Sequence, residues 1–252
     1  MRFQDVIGQK ELIHHFKKSV AENRISHAQL FAGKPGYGTM ALGLAFAQYI
    51  CCQNRTPEDS CGVCSSCIKY QKLIHPDLHF VFPVIKTTKI NKPVSDDYIK
   101  EWRKIMQQSA YFDSHEWLEI IAAENKQGGI YTEESQSIIR KLNLKTFESE
   151  YKIMIIWMPE RMNATASNKL LKMIEEPPPK TLFLMITEQT GNILPTIISR
   201  LQLIKVPKID DESLKAAIVK SNQDNSIRLH DIVKLADGDY IRARKLMAST
   251  NE

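Results

Sequence analysis

The chain has 252 residues, a formal net charge of +5, 43% hydrophobic residues and 25% charged residues, the balance of an ordinary soluble protein with room for one large domain or two smaller ones. No apolar run approaches the ~20 residues of a membrane span, and the opening MRFQDVIGQKELIHHF lacks the apolar centre of a signal peptide, so a cytoplasmic protein is expected. The mild positive charge permits contact with nucleic acid without arguing for it.

Leu12, Phe16 and Val20 recur at helical spacing and predict a helix over 11–23. ISHAQLFAG (25–33) reads as a buried strand running into a glycine-rich turn. The next helix is expected over 39–49, with Leu42, Leu44, Ala45 and Phe46 as its apolar body. LHFVFPV (78–84) is a second strand candidate, followed by a polar, basic loop over 85–97 that reads as a solvated face. One helix is expected over 98–123, with Trp102, Ile105, Met106, Trp117, Leu118 and Ile121 as core positions. Trp102, Tyr111, Phe112 and Trp117 are spaced for packing rather than for stacking on bases.

Gln127-Gly128-Gly129 breaks the chain, and TEESQSIIRKLNL then predicts a helix capped by Thr132, with acidic residues in its first turn. YKIMIIWM (151–158) and TLFLMIT (181–187) are continuous apolar runs separated by a helix through ASNKLLKMIEE, which stops at Pro177, Pro178 and Pro179. Such runs suit strands buried on both faces of a parallel sheet. LQLIKV (201–206) ends at Pro207. Residues 1–207 therefore read as an α/β domain, and 208–252, where the apolar spacing is helical, as a small all-helical second domain. Neither internal repeats nor low-complexity tracts are evident.

LFAGKPGYGTM has the strand–loop–helix setting of a phosphate-binding loop, G-x-x-x-x-G-K-[ST]. Gly33 and Gly38 have the right spacing, with Gly36 between them, but Thr39 and Met40 stand where the lysine and the hydroxyl belong. Lys34 is misplaced by its distance from Gly38 and is expected to face solvent. The expected role of Gly33, Gly36, Gly38 and Thr39 is a tight turn that binds ATP or ADP weakly or not at all, through backbone N–H groups alone.

The cysteines occupy only positions 51, 52, 61, 64 and 67. In a cytosolic chain this clustering favours a metal over disulfides. Cys61-x2-Cys64-x2-Cys67 plus one cysteine of the 51–52 pair can close a tetrahedral zinc site. Cys51 and Cys52 diverge by about 100° if the preceding helix continues, so only one can join. Four thiolates leave no open position for water, which makes the zinc structural.

In chain order, FQDVIGQ (3–9), HAQLFAGKPGYG (27–38), the cysteine cluster, HPDLHF (75–80), KLLKMIEEPP (169–178) and LPTIISR (194–200) resemble bacterial clamp-loader subunits of the AAA+ class. These are the gamma/tau motor and delta-prime subunits of the DNA polymerase III holoenzyme. The resemblance spans essentially the whole chain and implies a RecA-like α/β domain, a helical lid and a C-terminal helical collar. The chain ends at Glu252, soon after the lid, so the collar is expected to be absent or truncated. The resemblance also selects Cys52 over Cys51 as the fourth ligand.

The departures from the motor pattern are informative. Trp157 and Met158 occupy the positions of the motor's Asp-Glu pair, with Glu160 displaced by two residues. In GDYIRA (238–243), Ile241 stands where a motor lid offers arginine, with Arg242 next. With Thr39 and Met40, three parts of the phosphoryl-transfer apparatus are altered, which resembles the ATPase-silent delta-prime branch. Ser199-Arg200 resembles the motif that donates an arginine in trans to a neighbour's ATP. The implied partners are gamma/tau and delta in a hetero-pentamer and, through that complex, the sliding clamp and primer–template DNA. The competing expectations are an active, divergent AAA+ ATPase and a zinc-dependent DNA-binding module.

Overall fold

The computed structural model describes residues 1–121, 127–221 and 229–250. Its elements in order are α1 (Lys10–Ala21), β1 (Ala28–Ala32), α2 (Thr39–Cys51), α3 (Ser65–Gln71), β2 (Leu78–Val81), α4 (Ile99–Gln108), α5 (Ser114–Ile120), α6 (Thr132–Asn143), β3 (Lys152–Trp157), α7 (Ala164–Glu175), β4 (Thr181–Thr187), α8 (Pro195–Ile198), β5 (Gln202–Lys205), α9 (Asp211–Ser221), α10 (Leu229–Ala236) and α11 (Tyr240–Thr250). The strands form one parallel sheet in the order β2-β3-β4-β1-β5. The expected α/β class and parallel sheet are thus observed.

Every residue of β3 and β4 is buried, but the two faces of the sheet belong to different cores. Ile153, Ile155 and Trp157 of β3 and Leu182, Leu184 and Ile186 of β4 join the core that contains α2 and α4. Met154 and Ile156, with Phe183 and Met185, join the core beneath α6 and α7. The period of two that places successive side chains on opposite faces is intact. It is hidden in the sequence because both faces are dry. All residues of α2 are buried, and Phe46 stacks on Phe16 of α1 at 4.4 Å.

Two local expectations are corrected. The stretch 98–123 is two helices, not one, and residues 122–123 lie outside the described residues. Ser109 leaves α4 with extended backbone, its hydroxyl accepts the Tyr111 N–H at 3.0 Å, and Asp113 starts α5 through a reciprocal cap with Glu116. Local side-chain bonds here compete successfully with helix continuation. The break lets Trp102 and Trp117 meet edge to face at 5.2 Å. The cap of α6 falls on Tyr131, with Thr132 as the first helical residue. The acidic first turn is present as Glu133 and Glu134.

The expected boundary at 207/208 falls in the segment between β5 and α9. Residues 222–228 and 251–252 of the expected second domain lie outside the described residues. Ile209, Leu214, Ile218, Ile232, Val233 and Ile241 extend the same core that covers the sheet.

Buried Asp77 of the HPD sequence orders the approach to β3. Its carboxylate accepts three consecutive N–H groups, from Phe147 (2.6 Å), Glu148 (2.8 Å) and Ser149 (2.9 Å). Lys152 Nζ donates to the carbonyls of Lys141, Leu142 and Leu144 at the end of α6. Burial raises the Asp77 carboxyl, but the N–H bonds outweigh it and hold the group below the usual carboxylate range. A carboxyl depressed by folding adds stability above its unfolded pKa and loses it as pH falls through the folded one. Asp77→Asn is expected to cost about 1–3 kcal/mol at neutral pH. The gap from the unmodified chain should close in acid, below pH ~4, as read from urea midpoints across pH.

Candidate functional site

The glycine loop leaves the carboxyl end of β1, where an α/β sheet holds ligands at its strand ends. The Gly33 N–H donates to the Thr187 carbonyl at 3.1 Å. Pro35–Tyr37 form one tight turn, in which the Tyr37 N–H donates to Lys34 O and the Gly38 N–H to Pro35 O, both at 3.0 Å. Pro35 has no N–H. A phosphate cradle needs such donors aimed outward; here they are spent inside the loop.

The space over the loop is filled. Gly38 has a left-handed φ of 86°, and a Cβ there would lie 2.9 Å from the Tyr111 ring. Tyr111 is itself held by the Ile7 N–H at 2.8 Å and by the Tyr240 ring at 5.2 Å. At Gly36, a Cβ would collide with the carboxylate of Asp239, which caps α11 by accepting the Arg242 N–H at 3.0 Å. A carboxylate over the loop repels phosphate. Thr39 is buried, with its methyl 3.3 Å from where a Gly33 Cβ would sit. Lys34 Nζ lies 5.8 Å from the Tyr37 ring centroid.

The end of β3 is aromatic. The ring of Trp157 packs against Trp102 at 5.4 Å and Phe112 at 5.2 Å, and Met158 is buried in left-handed backbone. Neither can position a magnesium ion or a water. Glu160, the nearest carboxylate in sequence, accepts the Thr187 hydroxyl at 2.8 Å, and burial holds its carboxyl above the usual range. Ile241 is in the core, while Arg242 is exposed. Lys245 pairs with Asp113 at 2.6 Å and Arg244 with Glu116, which ties α11 to α5.

The four expected cysteines converge. The sulfurs of Cys52, Cys61, Cys64 and Cys67 lie within 4.8 Å of one another, and Cys61 and Cys67 are 4.0 Å apart. A tetrahedron with Zn–S near ~2.3 Å has edges of about 3.8 Å, so the cluster has the dimensions of a zinc site. Backbone N–H groups of Cys61, Cys64 and Cys67 point at the sulfurs of Cys52, Cys61 and Cys64 at 3.2, 3.3 and 3.4 Å. These donors stabilise thiolate charge and fix ligand orientation. The thiol of Cys61 is held down to about 6, first by the Val63 N–H. Cys51 turns away, toward Tyr151 O at 3.9 Å, and burial pushes its thiol up to about 11.

Arg200 is exposed at the start of β5. Its Nε donates to Glu175 Oε1 at 2.6 Å, its Nη2 pairs with the same oxygen, and its Nη1 donates to Thr196 O at 2.7 Å and Ser199 Oγ at 3.3 Å. β5 runs parallel to β1 with Gln202 opposite Gln29, so Arg200 lies at the amino end of the sheet. The glycine loop is at the carboxyl end, beyond a strand of five residues, roughly 16 Å at about 3.3 Å per residue. The expected site residues thus form three separate groups: the loop, the cysteine cluster and Ser199-Arg200.

Sequence reasoning missed Asp239 and Glu175, and read Tyr111 only as core. Asp239 is 203 positions from Gly36 (239 − 36), a pairing without a local signal. Glu175 lies within KLLKMIEEPP, but its pairing with Arg200 requires the fold.

The sequence model of the family described as "DNA polymerase III, delta subunit" matches residues 8–210. The chain is 28% identical over 204 residues to the DNA polymerase III subunit delta' of Bacillus subtilis (strain 168), covering 81% of this chain and 49% of that protein. It is 24% identical over 251 residues to the subunit tau of the same organism, covering 98% of this chain and 37% of that one. The chain therefore spans about half or less of the length of these relatives. Among solved structures, the RuvB Holliday junction branch migration motor of Thermotoga maritima superposes with a TM-score of 0.55 at 13% identity, over 97% of this chain and 62% of that one. That likeness is one of fold. The family match covers well over half of the chain, and the chain belongs to the DNA polymerase III delta-subunit family.

Proposed function

We propose that this chain is a delta-prime-like subunit of the DNA polymerase III clamp loader, silent as an ATPase and active through Arg200. In this reading it assembles with delta and with gamma/tau motor subunits in a hetero-pentamer. Arg200, with Ser199 beside it, reaches ATP held by a neighbouring motor subunit, and the assembly loads the sliding clamp on primer–template DNA.

The observation that carries the reading is the separation of Arg200 from the chain's own glycine loop. An arginine at the opposite end of the sheet cannot serve its own loop, whereas an exposed guanidinium at a strand end is available to another chain. In phosphoryl transfer, negative charge is spread over the γ-phosphate oxygens, and a guanidinium supplied in trans stabilises that distribution. The silent site has independent support: spent loop donors, Asp239 over Gly36, and Trp157 and Met158 in place of carboxylates. Cys52, Cys61, Cys64 and Cys67 would hold a structural zinc, which when bound cross-links the end of α2 to the start of α3.

Three outcomes are expected. The purified chain hydrolyses no ATP in magnesium, and the double change Thr39→Lys, Met40→Thr restores none, because Tyr111 and Asp239 still fill the loop; a coupled phosphate-release assay reads both. Arg200→Ala slows hydrolysis at the neighbour's site by ~10³-fold or more without impairing assembly, as measured by single-turnover kinetics on the reconstituted complex. Cys67→Ser lowers the metal content from ~1 zinc per chain toward none and lowers the melting temperature, as read by colorimetric zinc release and calorimetry.

A further inference from the structure

The arginine reading leaves Glu175 without a role, and the geometry gives it one. A guanidinium has five N–H groups in a fixed fork. In Arg200 both Nη1 donors are taken, by Thr196 O and Ser199 Oγ. The Nε donor and one Nη2 donor are taken by Glu175 Oε1. Among the described residues, one Nη2 N–H remains without a partner. The edge formed by Nε and Nη2 is an edge that binds carboxylate or phosphate side-on with two bonds, and here Glu175 occupies it.

We propose that Glu175 is a positioning residue that acts through Arg200: its carboxylate stands in for the neighbour's γ-phosphate and keeps the arginine stowed until ATP displaces it. This inference rests on the trans-arginine reading above and adds a partner residue to it. Thr196 and Ser199 hold Nη1 in place, so the exchange requires only the Nε–Nη2 edge to change partner. Both side chains are about two-fifths exposed, 37% for Arg200 and 42% for Glu175. The pair is therefore weak enough to exchange. Glu175 is also the last residue of α7, with only Glu176 between it and Pro177–Pro179, and the prolines prevent the helix from extending and carrying the carboxylate away.

The test is Glu175→Gln in the reconstituted complex, which keeps the shape and removes the competing charge. The expected result is a rise in kcat/KM for ATP of roughly two- to fivefold, the range set by a half-exposed ion pair. The rise should be absent when Arg200→Ala is added, because the effect passes through the arginine. A purely structural role for Glu175 predicts a loss of activity or of melting temperature instead. In the isolated full chain, the Arg200 Nε–H signal should exchange with solvent faster in Glu175→Gln than in the unmodified protein. Unchanged or lower kcat/KM in Glu175→Gln, with Arg200→Ala impaired, overturns the stowing role and leaves the arginine reading standing. A rise that persists without Arg200, or an exchange rate that does not change, overturns it as well. If Arg200→Ala is fully active, the arginine reading fails and this inference fails with it.

Discussion

Burial of both faces of the central strands β3 and β4 is the constraint on which the rest of this molecule depends. With β3 and β4 wholly enclosed between α2 and α4 on one side and α6 and α7 on the other, these central strands offer no exposed position for polar chemistry. It is confined to the two ends of the strands. At the carboxyl ends lie the glycine loop, Trp157 and Asp239. At the amino ends lie Arg200, Glu175 and the Asp77-anchored approach to β3. A parallel sheet makes these ends inequivalent, because every strand presents the same end to the same side.

The carboxyl end has been closed by packing rather than by loss of the loop. Trp157 ends β3 inside an aromatic group in which Phe82 stacks on Trp102 at 4.2 Å and Trp117 meets Phe82 at 5.0 Å. Such rings contribute through large buried area and favoured pair geometry. A carboxylate in place of Trp157 would face that apolar group and lose its hydration. The break at Ser109–Asp113 serves the same closure, since it carries Tyr111 onto Gly38 and Phe112 onto Trp157. The contacts that stabilise this end are therefore the same ones that fill the space over the loop.

The amino end is built from polar anchors. Asp77 and Lys152 satisfy six backbone groups between them, the N–H groups of 147–149 and the carbonyls of 141, 142 and 144. The loop they hold exposes Leu144 and Phe147, at 69% and 80%. His75 accepts the Asp77 N–H at 3.1 Å and packs on Tyr70 of α3 at 4.8 Å, so the cysteine module and the entry to β3 form one continuous structure. Glu175 and Arg200 meet nearby in the chain path, at the end of α7 and the start of β5.

The sequence by itself determined the strands, the parallel class, the cysteines that come together and the altered loop. These rest on local signals: apolar runs, x2 cysteine spacing and the six-residue glycine frame from Gly33 to Gly38. It also settled that Trp157 and Met158 cannot do a carboxylate's work, because that is a matter of side-chain chemistry alone. The break within 98–123 was not legible, since its apolar spacing is compatible with one helix and only Ser109 and Asp113 bonds decide otherwise. The choice of Cys52 over Cys51 came from resemblance, and its physical reason is tertiary: Cys51, the last residue of α2, faces Tyr151, while extended backbone at Cys52 brings that residue to the cluster. Tertiary structure alone decided what fills the loop and what holds the arginine. Asp239 reaches Gly36, and Glu175 reaches Arg200, across gaps in sequence that carry no periodic signal, and only packing α11 on the loop and ending α7 beside β5 brings those charges together.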